Sequence, residues 1–289
     1  MQIIEFLQSL SNPVLDWTMR IITEVGDQYF FILLGAILYW TVDKKFAFKL
    51  MVSYLGSAFI NGGLKAITNK PRPYQEGARA ILQETTGSSM PSGHAQASGA
   101  LAINLWNEYY YAKWVRVLMI AMIILVPLSR MYLGQHYLED VLVGLVLGLI
   151  LGSTFMFLLG VGNFDREHIR ALYPIPVLLI LMVFFHEEPL FVAGGAYIGL
   201  AVGYYFEKLY VKYKVAAPLK IQIIKVILGL VIALALKEGL KFVLPYSLFE
   251  SDPQSIWVLI LDFVRYLLIG LWASLGFMWV AKKLFKRVK

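Results

Sequence analysis

Long apolar runs separated by short polar loops dominate the chain. A membrane-crossing helix needs roughly 20 largely apolar residues. Eight such runs lie at about 28–43, 46–67, 94–111, 114–131, 137–161, 172–186, 189–207 and 219–243, with a ninth at about 255–281. The run at 172–186 is short and carries Pro174 and Pro176. Ahead of the first run the pattern changes. Val14, Trp17, Ile21, Ile22 and Val25 recur at helical spacing, while Asp16, Arg20 and Glu24 take the other face. That pattern predicts an amphipathic helix lying in the membrane interface. The expected fold class is an all-α integral membrane protein, a helical bundle of about nine transmembrane helices with an N-terminal interfacial helix. Three regions follow: 1–28 as the interfacial helix, 28–161 as a five-span core, and 162–289 as additional spans without an assigned role.

Composition agrees with a membrane protein. Hydrophobic residues make up 59% of the chain and charged residues 16%, against about 45–50% and about 25% in soluble domains. The formal charge of +7 would suit nucleic acid in a soluble chain. In a membrane protein, Lys and Arg instead mark cytoplasmic loops, so no nucleic-acid partner is expected. Sixteen basic residues fall in the alternate loops around Lys44, Lys113, Arg166 and Lys208 and in the tail from Lys282. Six, including Lys70, Arg72, Arg79 and Arg130, fall on the other side. The asymmetry predicts an outside N-terminus and a cytoplasmic C-terminus in the cell membrane. There is no cysteine, which excludes disulfides and thiolate metal sites. Met1–Ser11 lacks a basic start and carries Glu5, so no cleavable signal peptide is expected.

Three polar motifs interrupt the apolar pattern. They are Lys65-AITNKP-Arg72-Pro73, Pro91-Ser92-Gly93-His94, and Ser129-Arg130-MYLGQ-His136 with Asp140 four residues on. In the span pattern all three fall at the outer membrane surface. Their chemistry points to phosphate. Arginine offers a planar fork of donors that matches phosphate oxygens, and lysine adds a point charge. Lys65, Arg72 and Arg130 would supply three cations. Ser92 and Gly93 open a helix, where backbone N–H groups and the helix dipole form an anion cradle. His136 and Asp140, four apart, are expected on one helix face, with the carboxylate fixing the imidazole tautomer. His136 is then the candidate nucleophile and His94 the candidate acid for the leaving group. No metal or cofactor is required by this arrangement, because arginines and amides provide the positive field.

Together these motifs resemble the signature of the type-2 phosphatidic acid phosphatase family, over about residues 12–160. The resemblance implies an α-helical bundle and metal-independent phosphate-ester hydrolysis through a phosphohistidine. By position it implies phosphate binding by Lys65, Arg72, Ser92, Gly93 and Arg130. It makes His94 the acid, His136 the nucleophile and Asp140 its partner. The expected partner is a membrane lipid phosphate, with polyprenyl (undecaprenyl) diphosphate favoured over phosphatidate and phosphatidylglycerol phosphate, and an active site at the extracytoplasmic face. Two other functions remain open: a lipid phosphotransferase using the same intermediate, and a transporter or scramblase that merely binds lipid phosphate.

Further features lie outside the motifs. His136, Asp140, Gly144, Gly148 and Gly152 are spaced by four, a drifting ridge whose glycines let another helix approach closely. This seam is expected to set the rotation of its span and so aim His136. Gly195, Gly199 and Gly203 form a second seam, which could serve another span of the core, an added helix or a homodimer. Asp262 and Arg265, three apart within the last span, are candidates for substrate modulation, or else a structural pair with each other and with Lys237, Glu238 and Lys241. His168 and His186 lack ligand spacing and receive no chemistry.

Overall fold

The computed structural model describes residues 1–83, 85, 87–160, 165–249, 252 and 255–285. Every regular element among them is helical. The tail cations Lys286, Arg287 and Lys289 lie outside the described residues. The chain forms two compact units, one of Met1–Phe31 with Ile60–Met156, the other of Ile32–Phe59 with the chain from Phe157 onward.

The first unit begins with α1 (Gln2–Ser9), a helix the apolar pattern did not suggest. Its Ile4 packs into a cluster with Ala95, Met131, Tyr137 and Val141. Next comes α2 (Pro13–Glu24), capped by the Asn12 side chain, which accepts from Leu15 N. Val14, Trp17 and Ile21 stay exposed, while Asp16 accepts from the Tyr132 hydroxyl. A bend at residues 25–27 separates α2 from α3 (Gln28–Ile37), which is continued by the π turn Leu38–Val42 and belongs to the second unit from Ile32 on. The chain re-enters the first unit at Ile60, within α4 (Lys44–Thr68), whose last turn carries Lys65. α5 (Gly93–Tyr109), α6 (Lys113–Tyr132) and α7 (Leu138–Gly160) complete this unit.

Close packing of α5 on α7 fixes the frame. A Cβ on Gly144 would lie 2.4 Å from the Ser92 carbonyl oxygen, and one on Gly148 would lie 2.1 Å from that of Gln96. Gly99 answers from the other side, where a Cβ would meet the Leu145 oxygen at 2.7 Å. The glycine seam therefore works on α5, backbone against backbone. One part of the expectation needs correction. His136 precedes α7 by two residues, so it is not on the helix ridge; Asp140, in the first turn of α7, is.

The second unit holds α8 (Glu167–Arg170), α9 (Ile175–Phe184), α10 (Glu188–Phe206), α11 (Leu219–Val243), α12 (Ile256–Leu271) and α13 (Phe277–Leu284). Pro174 and Pro176 sit at the start of α9, where a missing N–H costs nothing, and so begin that helix rather than break it. The second glycine seam packs on an added helix: Cβ atoms on Gly195 and Gly199 would meet the carbonyl oxygens of Phe263 and Leu267 in α12 at 2.3 and 2.1 Å. The π turn Leu38–Val42 leaves the Trp40 and Thr41 carbonyls free for α11. Lys225 Nζ donates to Trp40 O at 2.8 Å and Gln222 Nε2 to Thr41 O at 2.9 Å.

Among the described residues, six helical segments are long and apolar enough to cross a membrane, or seven if the bent pair α2 and α3 is one span. α4 and α5 are not among them. α4 carries four lysines, and α5 is only 17 residues long and buries Gln96, Ser98 and Asn104 within the protein. Polar groups that face other helices lower a helix's mean hydropathy without exposing it to lipid.

The seam generates a stability prediction. Gly148→Leu is expected to destabilise the protein by about 3 kcal/mol or more through overpacking, read as earlier aggregation on heating in detergent. Gly160→Ala, where among the described residues the added Cβ meets no atom within 4 Å beyond its own helix turn, is expected to be neutral or stabilising.

Candidate active site

The site forms at the ends of α4, α5, α6 and α7 in the first unit. Two loop segments, residues 69–72 and 87–91, lie side by side there. Ser89 N donates to Lys70 O at 2.8 Å, and Lys70 N donates to the Ser88 hydroxyl at 2.9 Å. From α4, Asn61 Nδ2 donates to Gln96 Oε1 at 2.7 Å and to Pro91 O at 3.4 Å, fastening the start of α5. Ser92 N donates to the Asp140 carbonyl at 3.0 Å, which joins α5 to α7.

His136 is 2% exposed. Its Nδ1 lies 2.7 Å from the carbonyl oxygen of Ser89, a group that only accepts. The proton must therefore sit on Nδ1, leaving Nε2 with a free lone pair. The expected direct partner, Asp140, is one step removed: its Oδ2 is 3.9 Å from His136 Nδ1. The Asp140 carboxylate instead accepts from Ser89 Oγ at 2.5 Å, Tyr137 N at 2.9 Å and Lys70 Nζ at 2.8 Å. It holds the residue that holds the histidine. The cause is the loop position of His136, which lets the Ser89 backbone reach the ring first. Burial pushes the His136 pKa well below its ordinary value of 6.5, and the charges of Arg130, Arg72 and Lys65 act the same way.

Backbone carbonyls and a hydroxyl hold the two arginines in place. Arg72, 3% exposed, donates through Nε to Gly87 O at 3.1 Å and through Nη1 to Gln135 O at 3.3 Å. Arg130, 2% exposed, donates through Nη1 to the Thr23 hydroxyl at 3.0 Å, while its Nε has no partner among the described residues. Lys65 Nζ likewise has no hydrogen bond or ion pair there. Lys70, by contrast, is saturated by Glu139 at 2.6 Å and Asp140 at 2.8 Å.

Ser92 and Gly93 divide the expected cradle. Ser92 is fully buried and its amide is already committed to Asp140, so its N–H is withdrawn from anion binding. The Gly93 amide remains in the first turn of α5. A Cβ on Gly93 would meet only Asn61 Oδ1, at an unstrained 3.6 Å. A side chain at this position would therefore meet little of the surrounding protein.

The fourth wall comes from the bend between α2 and α3, which sequence reasoning had assigned to the membrane interface alone. Thr23 receives Arg130. A Cβ on Gly26 would lie 2.8 Å from both Cβ and O of His94. Asp27 Oδ2 lies 3.9 Å from His94 Nε2. The one advance signal for this was the pair Gly26-Asp27 between two apolar segments, a turn signature. Ser89, beside the Pro-Ser-Gly-His motif, gave no signal of its own.

Lys65, Arg72, Ser92, Gly93, His94, Arg130, His136 and Asp140 therefore all belong to this site. Asp262 and Arg265 belong to the second unit. Arg265 Nη1 pairs with Asp262 Oδ1 at 3.4 Å, Arg265 Nε donates to Lys237 O at 2.9 Å, and Tyr246 donates to Asp262 at 2.8 Å.

Comparison with known proteins gives two family matches. The PAP2 superfamily profile matches residues 46–163, and the profile of the PAP2 superfamily phosphatase transmembrane extension matches residues 191–288. The latter spans most of the region that sequence reasoning left without a role. Sphingosine-1-phosphate phosphatase 1 of Mus musculus is 28% identical over 187 residues, 62% of this chain and 43% of its own length. Undecaprenyl-diphosphatase BcrC of Bacillus subtilis is 30% identical over 149 residues, 50% of this chain and 75% of its own. The undecaprenyl-diphosphatase of Sulfolobus acidocaldarius is 30% identical over 139 residues, 46% and 66% of the two chains. The match spans less than half the length of the mouse sphingosine-1-phosphate phosphatases.

The free donors generate an anion-binding prediction. Lys65→Met is expected to weaken binding of inorganic phosphate at least about tenfold, the loss of one charge-assisted hydrogen bond. Lys70→Met, whose ammonium is already occupied, is expected to weaken it less. Titration calorimetry in detergent compares the two.

Proposed function

Because the chain belongs to the PAP2 superfamily, we propose that it is an integral membrane phosphatase that hydrolyses a lipid phosphate or diphosphate through a phosphohistidine on His136. One observation carries the reading: a buried imidazole, its tautomer set by Ser89, stands among Lys65, Arg72 and Arg130, of which Arg130 keeps an Nε without a partner among the described residues. The lone pair on Nε2 attacks phosphorus in line with the leaving oxygen. Arg72, Arg130, Lys65 and the Gly93 amide stabilise the equatorial oxygens as charge builds. The P–O bond breaks, and the leaving oxygen takes its proton from His94. Water, deprotonated by the now neutral His94, then attacks the phosphohistidine and returns the electron pair of the P–N bond to Nε2. No step in this sequence requires a metal.

The same reading places the catalytic machinery in the core of residues 28–161, with nine membrane-crossing helices, α2 in the interface, an outside N-terminus and a cytoplasmic C-terminus. The site then opens at the extracytoplasmic face of the cell membrane, where a lipid keeps its chains in the bilayer while presenting its headgroup. Polyprenyl diphosphate is the favoured substrate. The outward site suits release of a carrier lipid during envelope assembly, and two of the relatives above carry that activity in their names. For Asp262 and Arg265, the bonds to Lys237 and Tyr246 favour a brace between α11 and α12 over substrate modulation.

A panel of undecaprenyl diphosphate, phosphatidate, phosphatidylglycerol phosphate and sphingosine 1-phosphate, scored for released phosphate, tests the reading. His136→Ala is expected to release none, and wild type quenched in alkali is expected to retain an acid-labile label from the substrate's phosphate. A labelled lipid product in place of free phosphate would identify a transferase, and full function of His136→Ala would identify a transporter.

The pH dependence has a definite sign. With its pKa depressed, His136 stays neutral to lower pH than a free histidine. Nucleophile is lost only as pH falls through the depressed value, so the acid limb of kcat/KM is expected well below pH 6.5. A limb at or above that value would contradict the assignment of His136.

A further inference from the structure

Given the phosphatase reading, His94 has a difficulty that the site itself creates. A general acid must carry its proton before the leaving group departs. Yet Lys65 from α4, Arg72 from the loop, Arg130 from α6 and the His136 ring are the site groups around it, and like charges repel one another at close quarters. They are needed for phosphate and cannot be removed. An opposing carboxylate is the simplest remedy.

We infer that Asp27 is the positioning residue of the proton donor, holding His94 in its protonated form through the bend between α2 and α3. Four observations support this. Gly26 brings the bend into contact with His94, where a side chain would overlap His94 Cβ and O. Asp27 Oδ1 accepts from Tyr29 N at 2.8 Å, which anchors the carboxylate at the start of α3. Its other oxygen, Oδ2, lies 3.9 Å from His94 Nε2, within ion-pair range of a protonated ring. Glu24, the other acid of the bend, bears with Asp27 on Arg130, so this wall is the acidic side of a basic pocket. Asp27 itself transfers no proton. The proton moves from the His94 ring to the leaving oxygen as the P–O bond gives up its electron pair, and water restores it in the second step. Asp27 acts only by charge and placement.

The test uses leaving groups that differ in their need for a proton. Asp27→Asn removes the charge while the amide oxygen can still accept from Tyr29 N. The full-length protein is assayed in detergent with a long-chain alkyl phosphate, whose alkoxide must be protonated, and with 4-nitrophenyl phosphate, whose phenolate leaves unaided. In Asp27→Asn the alkyl ester is expected to lose about tenfold more kcat/KM than the aryl ester. The basic limb of the alkyl pH profile is expected to fall by about 1 unit. Asp27→Glu, which keeps the charge, is expected to restore much of both. Because both esters are read on one preparation, a reduced folded fraction cancels from their ratio. Equal losses for the two esters with an unmoved basic limb would leave Asp27 a purely structural cap and overturn the inference. Failure of the phosphatase reading looks different: wild type releases phosphate from neither ester, or His136→Ala releases it as well as wild type.

Discussion

Backbone contact between α5 and α7 sets the distance on which the rest of the first unit depends. Where Gly144 and Gly148 lack side chains, the carbonyls of Ser92 and Gln96 take the space. At that separation the Asp140 carbonyl can accept from Ser92 N, so the start of α5 and the start of α7 become one joint. Ser89 then bridges from one loop to the other, its hydroxyl on Asp140 and its carbonyl on His136. An apolar packing requirement in the middle of two helices thus fixes polar geometry at their ends. Because helix interiors yield little to added volume, the reacting groups inherit the precision of the packing below them.

The electrostatic design follows a single logic. Arg72 and Arg130 are fastened by carbonyls and a hydroxyl, groups that hold a guanidinium in place without cancelling its charge. The Asp140 carboxylate, which would otherwise draw those arginines, is occupied by Lys70. A buried charge without its counter-ion costs several kcal/mol. For Arg130 the fold carries that cost, and under the function proposed above a phosphate dianion would offset it.

Much of this was legible in the sequence because its signals are local. Apolar runs mark helices wherever one face meets lipid, and the three polar motifs keep fixed spacing within single segments. What was hidden depends on folding back. Ser89 is an ordinary loop serine until Asp140 arrives from another helix. Thr23 and Asp27 read as the end of an interfacial helix, since nothing in their neighbourhood names Arg130 or His94. His136 looked helical because its spacing to Asp140 is four, whereas α7 begins only at Leu138. The nine expected runs exceed the six or seven described helices that are long and apolar enough to cross a membrane by α4 and α5, and α5 is short and buries Gln96, Ser98 and Asn104.

The bend between α2 and α3 has a mechanical consequence. α2 is a stiff rod whose outer side leaves Val14, Trp17 and Ile21 exposed, and whose last turn carries Thr23, one turn before Asp27. A load on that side is delivered, along the rod, to the hydroxyl that holds Arg130 and to the carboxylate facing His94. A displacement of this one helix therefore reaches Arg130 and His94 together.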